Sequence, residues 1–262
     1  MLLFILYLIT GAFAGLLAGL LGLGGGIIII PVLVIALPHA GISSDLIMPV
    51  AIATSLSSVI INTSVASFAQ WKKDNVDFGI LKKAFAPIAI GSIVGPILAH
   101  YIPTNHLKQL FAVLLFVVAF RMFRDAHHIA EARDFPPSYQ FNPVILILTF
   151  ISALLGLGGG VLLLPYLNRC GLSMQRSIGT ASFSAMIVAV IATACYMIMG
   201  STLTTGIPDS IGYIYLPAFL GIILSSFMAA KIGVNLSHRV PVPQLKKIFA
   251  VIVFLIAVKM IL

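Results

Sequence analysis

Two glycine clusters are the residues of this sequence with the most distinctive chemical potential. The run 21–26 reads Leu-Gly-Leu-Gly-Gly-Gly, and the same six residues return at 155–160. A glycine-rich break at membrane depth frees backbone N–H groups that lipid cannot satisfy, so it survives only against protein or a water-filled cavity. The apolar runs that follow, from Ile27 and from Val161, would direct the positive ends of their helices at such a cavity. The candidate anion-binding glycines are Gly24, Gly25, Gly26, Gly158, Gly159 and Gly160.

The glycine clusters also have explanations that need no anion. Close packing of membrane helices through small residues is the simplest of them. A phosphate-cradling loop is another, but it requires a following Lys-Ser or Lys-Thr and a preceding strand, and the sequence has neither. We therefore keep helix packing as the alternative and argue against nucleotide binding.

Hydroxyl and amide side chains inside two apolar runs form the second set of candidates. Thr54, Ser58 and Asn62 are spaced at i, i+4 and i+8, and Thr180 and Ser184 at i and i+4. Each set therefore forms a polar stripe along one helix face. Such hydroxyls often bond back to a carbonyl of their own helix, but a stripe in two places favours a shared polar cavity. The candidates on these helices are Thr54, Ser55, Ser58, Asn62, Thr180 and Ser184.

The composition places these residues in a membrane protein. Of the 262 residues 60% are hydrophobic and only 8% are charged, with a mean hydropathy of +1.15, whereas a soluble surface needs roughly a quarter of the residues charged. The formal net charge of +8 comes from short basic clusters between long apolar runs. This is the charge pattern of membrane loops and not of a nucleic-acid interface. The predicted fold is therefore an all-α polytopic membrane protein with the lipid bilayer as its surroundings and no nucleic-acid partner.

The sequence consists of two copies of one unit. The cluster at 21–26, four Ile and a Pro is repeated 134 residues later as the cluster at 155–160, Val, three Leu and a Pro. Segment 107–113 likewise resembles segment 245–251. We predict a first repeat over 1–124, a cytoplasmic linker over 125–141 and a second repeat over 142–262.

Charge and length predict how each copy crosses the membrane. Residues 2–37 as one straight helix would be about 54 Å long, against a hydrocarbon core of roughly 30 Å, so this segment must break at its glycines. If the broken segment re-enters on its own side and three spans follow, the copies are inverted and 13 of the 15 Lys and Arg share one face. Parallel copies would split the basic residues evenly, so the positive-inside rule favours inverted repeats. Loops near 75, 130, 172 and 238 are then cytoplasmic, and those near 43, 106 and 208 lie opposite.

The remaining reactive side chains do not form a catalytic or metal-binding set. Cys170 and Cys195 both lie among apolar residues, which favours packing thiols over a disulfide or a metal site. The six His lie near loops, and no nucleophile, base and orienting group come together. We therefore expect no enzyme activity, no metal and no cofactor. Arg176 opens an apolar run and either attracts an anion at the cytoplasmic mouth or extends from a helix end towards the interface.

The chain resembles the sulfite exporter TauE/SafE family of membrane permeases. The resemblance spans nearly the whole chain and rests on the glycine-rich element at 15–26 with the following Pro31, on residues 53–55, and on the duplicate that begins at Leu155. It implies a multi-pass carrier in the bacterial inner membrane for sulfite, thiosulfate, organosulfonates or related anions. The second copy has Ala181 in place of Ser55, so a symmetric role for that position is not expected.

The function predicted from these observations is secondary transport of a small sulfur-containing anion, with export as the direction that the resemblance implies. The alternative is an anion channel that uses the same glycine site. The partners expected are a small inorganic or organosulfur anion and the lipid bilayer. The sequence leaves open the anion, the coupling ion, the oligomeric state and whether each broken segment is re-entrant or forms two short spans.

Overall fold

The computed structural model describes residues 2–22, 24–124, 136–201, 207, 209–236, 251 and 253–260. Residues 253–260 are helical, and the other α-helices in this part of the chain are α1 (Leu2–Leu21), α2 (Gly26–Ala36), α3 (Ile47–Trp71), α4 (Phe78–Tyr101), α5 (Thr104–Arg124), α6 (Ser138–Leu154), α7 (Gly160–Arg169), α8 (Met174–Ser201) and α9 (Leu216–Leu236). Two short 3₁₀ turns, Leu37–Ala40 and Ser44–Leu46, connect α2 to α3. Five helices, α1, α3, α4, α8 and α9, are long and apolar enough to cross a membrane. The prediction of an all-α polytopic membrane protein is confirmed.

Both glycine clusters break the chain into a long and a short helix, as predicted. Gly22, Gly24 and Gly25 all have positive φ, between 68° and 87°, in the first copy. The equivalent residues Gly156 and Gly159, with φ of 75° and 92°, do the same in the second. A side chain would strain this left-handed backbone, which is why glycine occupies it. The helix that follows in the first copy, α2, has 11 residues and a length of about 16 Å, too short to cross a bilayer alone.

The helices of the two copies exchange partners. α1 packs along α9 of the second copy, and its counterpart α6 packs along α4 of the first. The two remaining long helices, α3 and α8, pack against each other at the centre. Each copy therefore packs one of its helices along a helix of the other copy. α3 is the most enclosed of the five long helices, since 72% of its most apolar window is buried, against 44% for each of the others.

Glycines allow the exchanged helices to approach closely. A Cβ atom on Gly15 of α1 would lie 2.3 Å from the carbonyl oxygen of Ser226 in α9. A Cβ atom on Gly91 of α4 would lie 2.3 Å from Oγ1 of Thr149 in α6. Small residues at these positions bring the two backbones into contact, as is common in membrane helix pairs.

The loops collect at two ends of the helix bundle. At the first end an ion pair joins Asp77, before α4, to Arg176, at the start of α8. At the second end the hydroxyl of Thr104 donates a hydrogen bond to the carbonyl of Asp45, and Tyr213 contacts His100. Because α3 begins next to Asp45 and ends near Asp77, it runs from the second end to the first, and α8 runs the opposite way.

The loop predicted near residue 208 falls between α8 and α9, and a short hairpin that was not predicted from the sequence precedes α9. α8 ends at Ser201, and before α9 the chain forms a hairpin of two short strands, β1 (Ser210–Ile211) and β2 (Ile214–Tyr215). Gly212 lies in the turn with φ of 56°, where a two-residue connection requires positive φ. Residues 125–135 of the predicted cytoplasmic linker lie outside the described residues, and α6 begins at Ser138.

Candidate functional site

The two glycine loops meet at the centre of the molecule. A Cβ atom on Gly26 would lie 2.6 Å from the carbonyl oxygen of Gly156, so the first loop touches the second directly. Cβ atoms on Gly24 and Gly158 would lie 3.0 and 2.5 Å from Cγ1 of Val59, so both glycines face the middle of α3. The structure therefore brings Gly24 and Gly158 to one side chain, although they are 134 residues apart in the sequence. Gly25 and Gly159 instead face Ala14 and Val188.

Each glycine loop ends at the N-terminus of a short buried helix. The Gly25 carbonyl accepts the N–H groups of Ile28 and Ile29 at 3.1 and 3.3 Å, and Gly159 accepts in the same way from the first turn of α7. The N–H groups before these have no acceptor in their own helix, as in every first turn. Two helix N-termini with their positive partial charge thus begin beside one buried junction.

Serine hydroxyls of each long central helix hold the glycine loop of the other copy. Ser55 of α3 donates to the carbonyl of Gly156 at 3.1 Å. The hydroxyl of Ser182 in α8 donates to the carbonyl of Ile178 in its own helix at 2.8 Å, with the carbonyl of Gly22 as a second, weaker acceptor at 3.4 Å. The position of Ser55 has no symmetric hydroxyl, as Ala181 indicated, but the contact is symmetric because the next residue, Ser182, supplies it. Ser182 was not predicted from the sequence; the equivalence of the Gly22 and Gly156 carbonyls identifies it.

The two threonines of the polar stripes also bind across the copies. Oγ1 of Thr54 in α3 accepts the backbone N–H of Tyr215, just before α9, at 3.0 Å. Oγ1 of Thr180 in α8 accepts the N–H of Asp77, just before α4, also at 3.0 Å. Each threonine therefore fixes the start of a helix in the opposite copy, a second pair of symmetric contacts.

Two other stripe residues use their hydroxyl protons within their own helices. Ser58 donates to the carbonyl of Thr54 at 2.9 Å, and Ser184 donates to that of Thr180 at the same distance. This is the local bonding that membrane hydroxyls often make. Both side chains are buried, so only their oxygen lone pairs are left to face the centre of the bundle.

Asn62 is one of six side chains in the described part of the chain that have a buried polar atom without a hydrogen-bond partner. Its Nδ2 donates to the carbonyl of Gly24 at 3.3 Å, while its Oδ1 has no hydrogen-bond partner and the residue is 0% exposed. An unsatisfied buried acceptor is costly, and each such group calls for an explanation. Among the explanations is a bound group that donates a hydrogen bond beside the first glycine loop.

Arg176 pairs with an acid from the other copy. Its Nη2 atom lies 3.2 Å from Oδ2 of Asp77, and the two side chains are 53% and 23% exposed. Asp77 was not predicted as a partner of Arg176, because it is 99 residues away in the chain. The ion pair lies beside a cavity of about 560 Å³ at the first end of the bundle.

The described residues form five membrane-length helices around a buried, uncharged polar centre, which is the architecture of a multi-pass membrane transporter. The sulfite exporter TauE/SafE family matches residues 7–260, and the chain belongs to this family. It is 29% identical over 263 residues to a probable membrane transporter protein of Haemophilus influenzae, with 98% of both chains covered.

Two further relatives carry the same description. A probable membrane transporter protein of Methanocaldococcus jannaschii is 27% identical, with 92% of this chain and 89% of the relative covered. One of Bacillus subtilis is 22% identical, with 98% and 97% covered. The resemblance stated from the sequence and the prediction of a multi-pass membrane transporter are confirmed.

Proposed function

We propose that this protein is a secondary transporter that exports a small sulfur-containing anion, such as sulfite, thiosulfate or an organosulfonate, across the plasma membrane. The observation that carries the proposal is the contact between the two glycine loops at the N-termini of α2 and α7. Backbone N–H groups and helix N-termini bind oxyanions without any charged side chain. The family description, a sulfite exporter, supports the chemical class.

The chemistry of the junction suits a carrier. The residues nearest the loop glycines are uncharged, among them Val59, Thr63 and Ser55. Hydrogen bonds from N–H groups and hydroxyls give an anion enough binding free energy to leave water. Because the anion forms no buried ion pair, it can be released again. We therefore assign transport and no catalytic chemistry to this centre, and the site needs no cofactor.

The inverted arrangement of the two repeats is part of the proposal. The loops that carry Asp77 and Arg176 share one end, and those that carry Asp45, Thr104 and Tyr213 share the other. This grouping agrees with the two faces predicted from the basic residues. Opposite directions of α3 and its counterpart α8 support inversion, which gives a carrier two equivalent halves for alternating access.

Close packing of the loops favours a carrier over a channel. A channel needs a continuous pore, whereas Gly26 and Gly156 lie close enough that even a Cβ atom would clash between them. Passage through this junction therefore requires the two copies to move relative to each other. Such a step limits the flux far below that of an open pore.

The proposal is tested with purified protein in sealed vesicles. We expect saturable flux of labelled sulfite that accelerates when unlabelled sulfite is present on the opposite side. A screen with thiosulfate, sulfoacetate, taurine and sulfate defines the substrate, and the Gly159→Leu variant in matched vesicles measures the background. Unsaturable flux at channel rates would support the channel, and no flux of any of these anions would contradict the proposed substrate class.

A further inference from the structure

The cavity at the first end of the bundle lies between the two copies. Its volume is about 560 Å³, and its walls are the first turns of α4 and the segment 170–176 that leads into α8. Lys83 and Arg176 line it, together with Asp77 and the backbone at Gly79. A Cβ atom on Gly79 would meet only the Asp77 side chain, at 3.2 Å, so the start of α4 is open to the cavity.

The charges that line this cavity favour an anion. Lys83 and Arg176 supply two positive charges and Asp77 one negative charge. Burial raises the pKa of the Cys170 thiol, the other titratable group of the lining, so it remains protonated and uncharged at neutral pH. The N-termini of α4 and α8 add their positive partial charges at the same place.

Asp77 has separate partners for its two carboxylate oxygens. Oδ1 caps α4 by accepting the N–H of Ile80 at 3.0 Å, and Oδ2 pairs with Arg176. The guanidinium has five N–H donors, and its side chain is 53% exposed. Arg176 can therefore bind an incoming oxyanion in place of Oδ2 while Asp77 keeps its capping bond.

Helix α8 contacts both the cavity, through Arg176, and the first glycine loop, through Ser182. Thr180, one helical turn after Arg176, accepts the N–H of Asp77, and Ser182 donates to the carbonyl of Gly22. Six residues of helix separate Arg176 from Ser182, which is about 9 Å along the axis. Along the axis of α8, Arg176 thus lies about 1.7 turns from the residue that contacts the first glycine loop, on a different face of the helix.

The equivalent position at the second end is uncharged. Arg176 lies four residues before Thr180, and Val50 lies four residues before Thr54. Val50 is therefore the counterpart of Arg176, and it is fully buried. The counterpart of Asp77, judged by the N–H that each threonine accepts, is Tyr215. The charged cavity therefore distinguishes one face of the transporter from the other.

We propose that this cavity is a second anion site, a vestibule in which Arg176 and Lys83 bind the small oxyanion on its way to or from the glycine loops. When no anion is bound, the carboxylate of Asp77 pairs with Arg176 and so competes with the anion for it. The inference rests on the proposed function. If the ion pair only held the two copies together, removing the charge of Arg176 or of Asp77 would weaken anion binding in both cases. A vestibule instead predicts weaker binding when Arg176 loses its charge and stronger binding when Asp77 does.

The test measures sulfite binding by calorimetry in phosphatidylcholine nanodiscs, and sulfite KM from each face in phosphatidylcholine vesicles. Arg176→Gln should weaken vestibule binding and raise KM from this face about tenfold, the loss of one charge-assisted contact. Asp77→Asn keeps the helix cap and frees Arg176, so KM should fall by up to about fivefold. Lys83→Gln should act like Arg176→Gln. Lys82→Gln, at an equally exposed lysine that does not line the cavity, should change neither quantity.

Each outcome decides the proposal. Loss of binding in Arg176→Gln with a gain in Asp77→Asn supports the vestibule, even if the wild type binds sulfite without transporting it, in which case the proposed function alone fails. Weaker binding in both variants would show a structural ion pair. Equal KM changes from both faces would likewise overturn the inference. The KM measurement is also repeated in vesicles that contain anionic lipid. An Arg176 effect that occurs only in those vesicles would overturn the inference by assigning the cavity to a lipid headgroup.

Discussion

At the scale of single residues, the glycines of the loops are important because they have no side chain. Gly24, Gly25 and Gly159 have positive φ and lie in a fully enclosed junction. The absence of Cβ therefore serves backbone conformation and close approach at once, and helix packing and anion binding are not exclusive explanations. Substitution separates the two roles where space permits a small side chain.

The Gly159→Ala variant should lose anion transport out of proportion to its loss of stability. The added Cβ would lie 3.3 Å from Val188, which can adjust, so the main cost of folding is the left-handed backbone, about 1–2 kcal/mol. Gly41→Ala is the matched control, because Gly41 has φ of 80° and nothing within 4 Å of a Cβ atom. Unfolding midpoints and sulfite flux of both variants are the measurements.

Comparable flux in the two variants would assign the glycines to backbone conformation alone. Leucine at Gly25 or Gly159 should also reduce transport more than it reduces folded protein, although a Cβ atom on Gly25 would lie 2.9 Å from the Ala14 carbonyl. Gly159→Leu is therefore the more informative of the two leucine variants.

The partners of the polar residues are what the sequence could not provide. Thr54 and Thr180 were identified from their spacing, and both are buried in the centre. Their hydrogen-bond donors, at Tyr215 and Asp77, are more than 100 residues away, and local periodicity carries no information on such pairs. Ser58 and Ser184 show the limit of the stripe argument, since their protons bond within their own helices.

At the scale of helices, hydroxyl contacts between copies stabilise the junction. Ser55→Ala should lower the free energy of unfolding by about 1–2 kcal/mol, because the buried Gly156 carbonyl loses its donor. Ser57→Ala is the control, since Ser57 bonds to Thr54 in its own helix. Denaturant titration of both variants in the same micelles gives the comparison, and equal losses would argue against the contact between copies.

Helix packing in the first copy depends on glycines outside the loops. Gly11, Gly15 and Gly19 repeat every four residues on α1 and face α9. Gly15→Leu should abolish folded protein, because its side chain would occupy the position of the Ser226 backbone. Phe13→Ala, at a residue that is 60% exposed, should leave the yield of folded protein nearly unchanged. Size-exclusion profiles after purification distinguish the two, and a monodisperse Gly15→Leu protein would contradict the packing argument.

The breaks between the helices at the glycine clusters were predictable, whereas the pairing of the helices was not. Glycine clusters and uncharged runs mark α1, α2, α6 and α7 directly, since these signals are local. The exchange of α1 and α6 between copies depends on contacts across most of the chain. The four-residue glycine spacing of α1 is the signal that indicates a close helix partner, but it does not say which helix that partner is.

At the scale of the whole molecule, inverted repeats predict which loops share a face. Single cysteines in a Cys170→Ser, Cys195→Ser background should be labelled from one side at residues 73 and 176 and from the other at 43 and 106. The ion pair at the first end and the Thr104 contact at the second support these groups. Impermeant labelling of sealed vesicles is the measurement. Equal accessibility of sites near 75 and 207 from one side would show parallel copies instead.

The last prediction concerns pH and follows from where the titratable groups lie. The described acids, Asp45, Asp74, Asp77 and Asp209, are all in loops or at helix starts, whereas a proton-coupled carrier ordinarily has an acid or His at depth. Burial raises the pKa of Tyr213 in the hairpin, so this phenol also stays protonated at neutral pH.

Any pH dependence should therefore come from the protonation of the substrate itself. Sulfite transport rates between about pH 6 and 8, the range in which histidine is the side chain that ordinarily titrates, should fall on one curve when plotted against one ionic species. His100 is the residue to test, because its Nδ1 lies 3.3 Å from the Tyr213 hydroxyl at the second end. His100→Gln should leave the curve unchanged, as should the control His39→Gln at an exposed turn. A residual pH effect in the wild type that disappears in His100→Gln alone would show that this histidine carries a proton during transport.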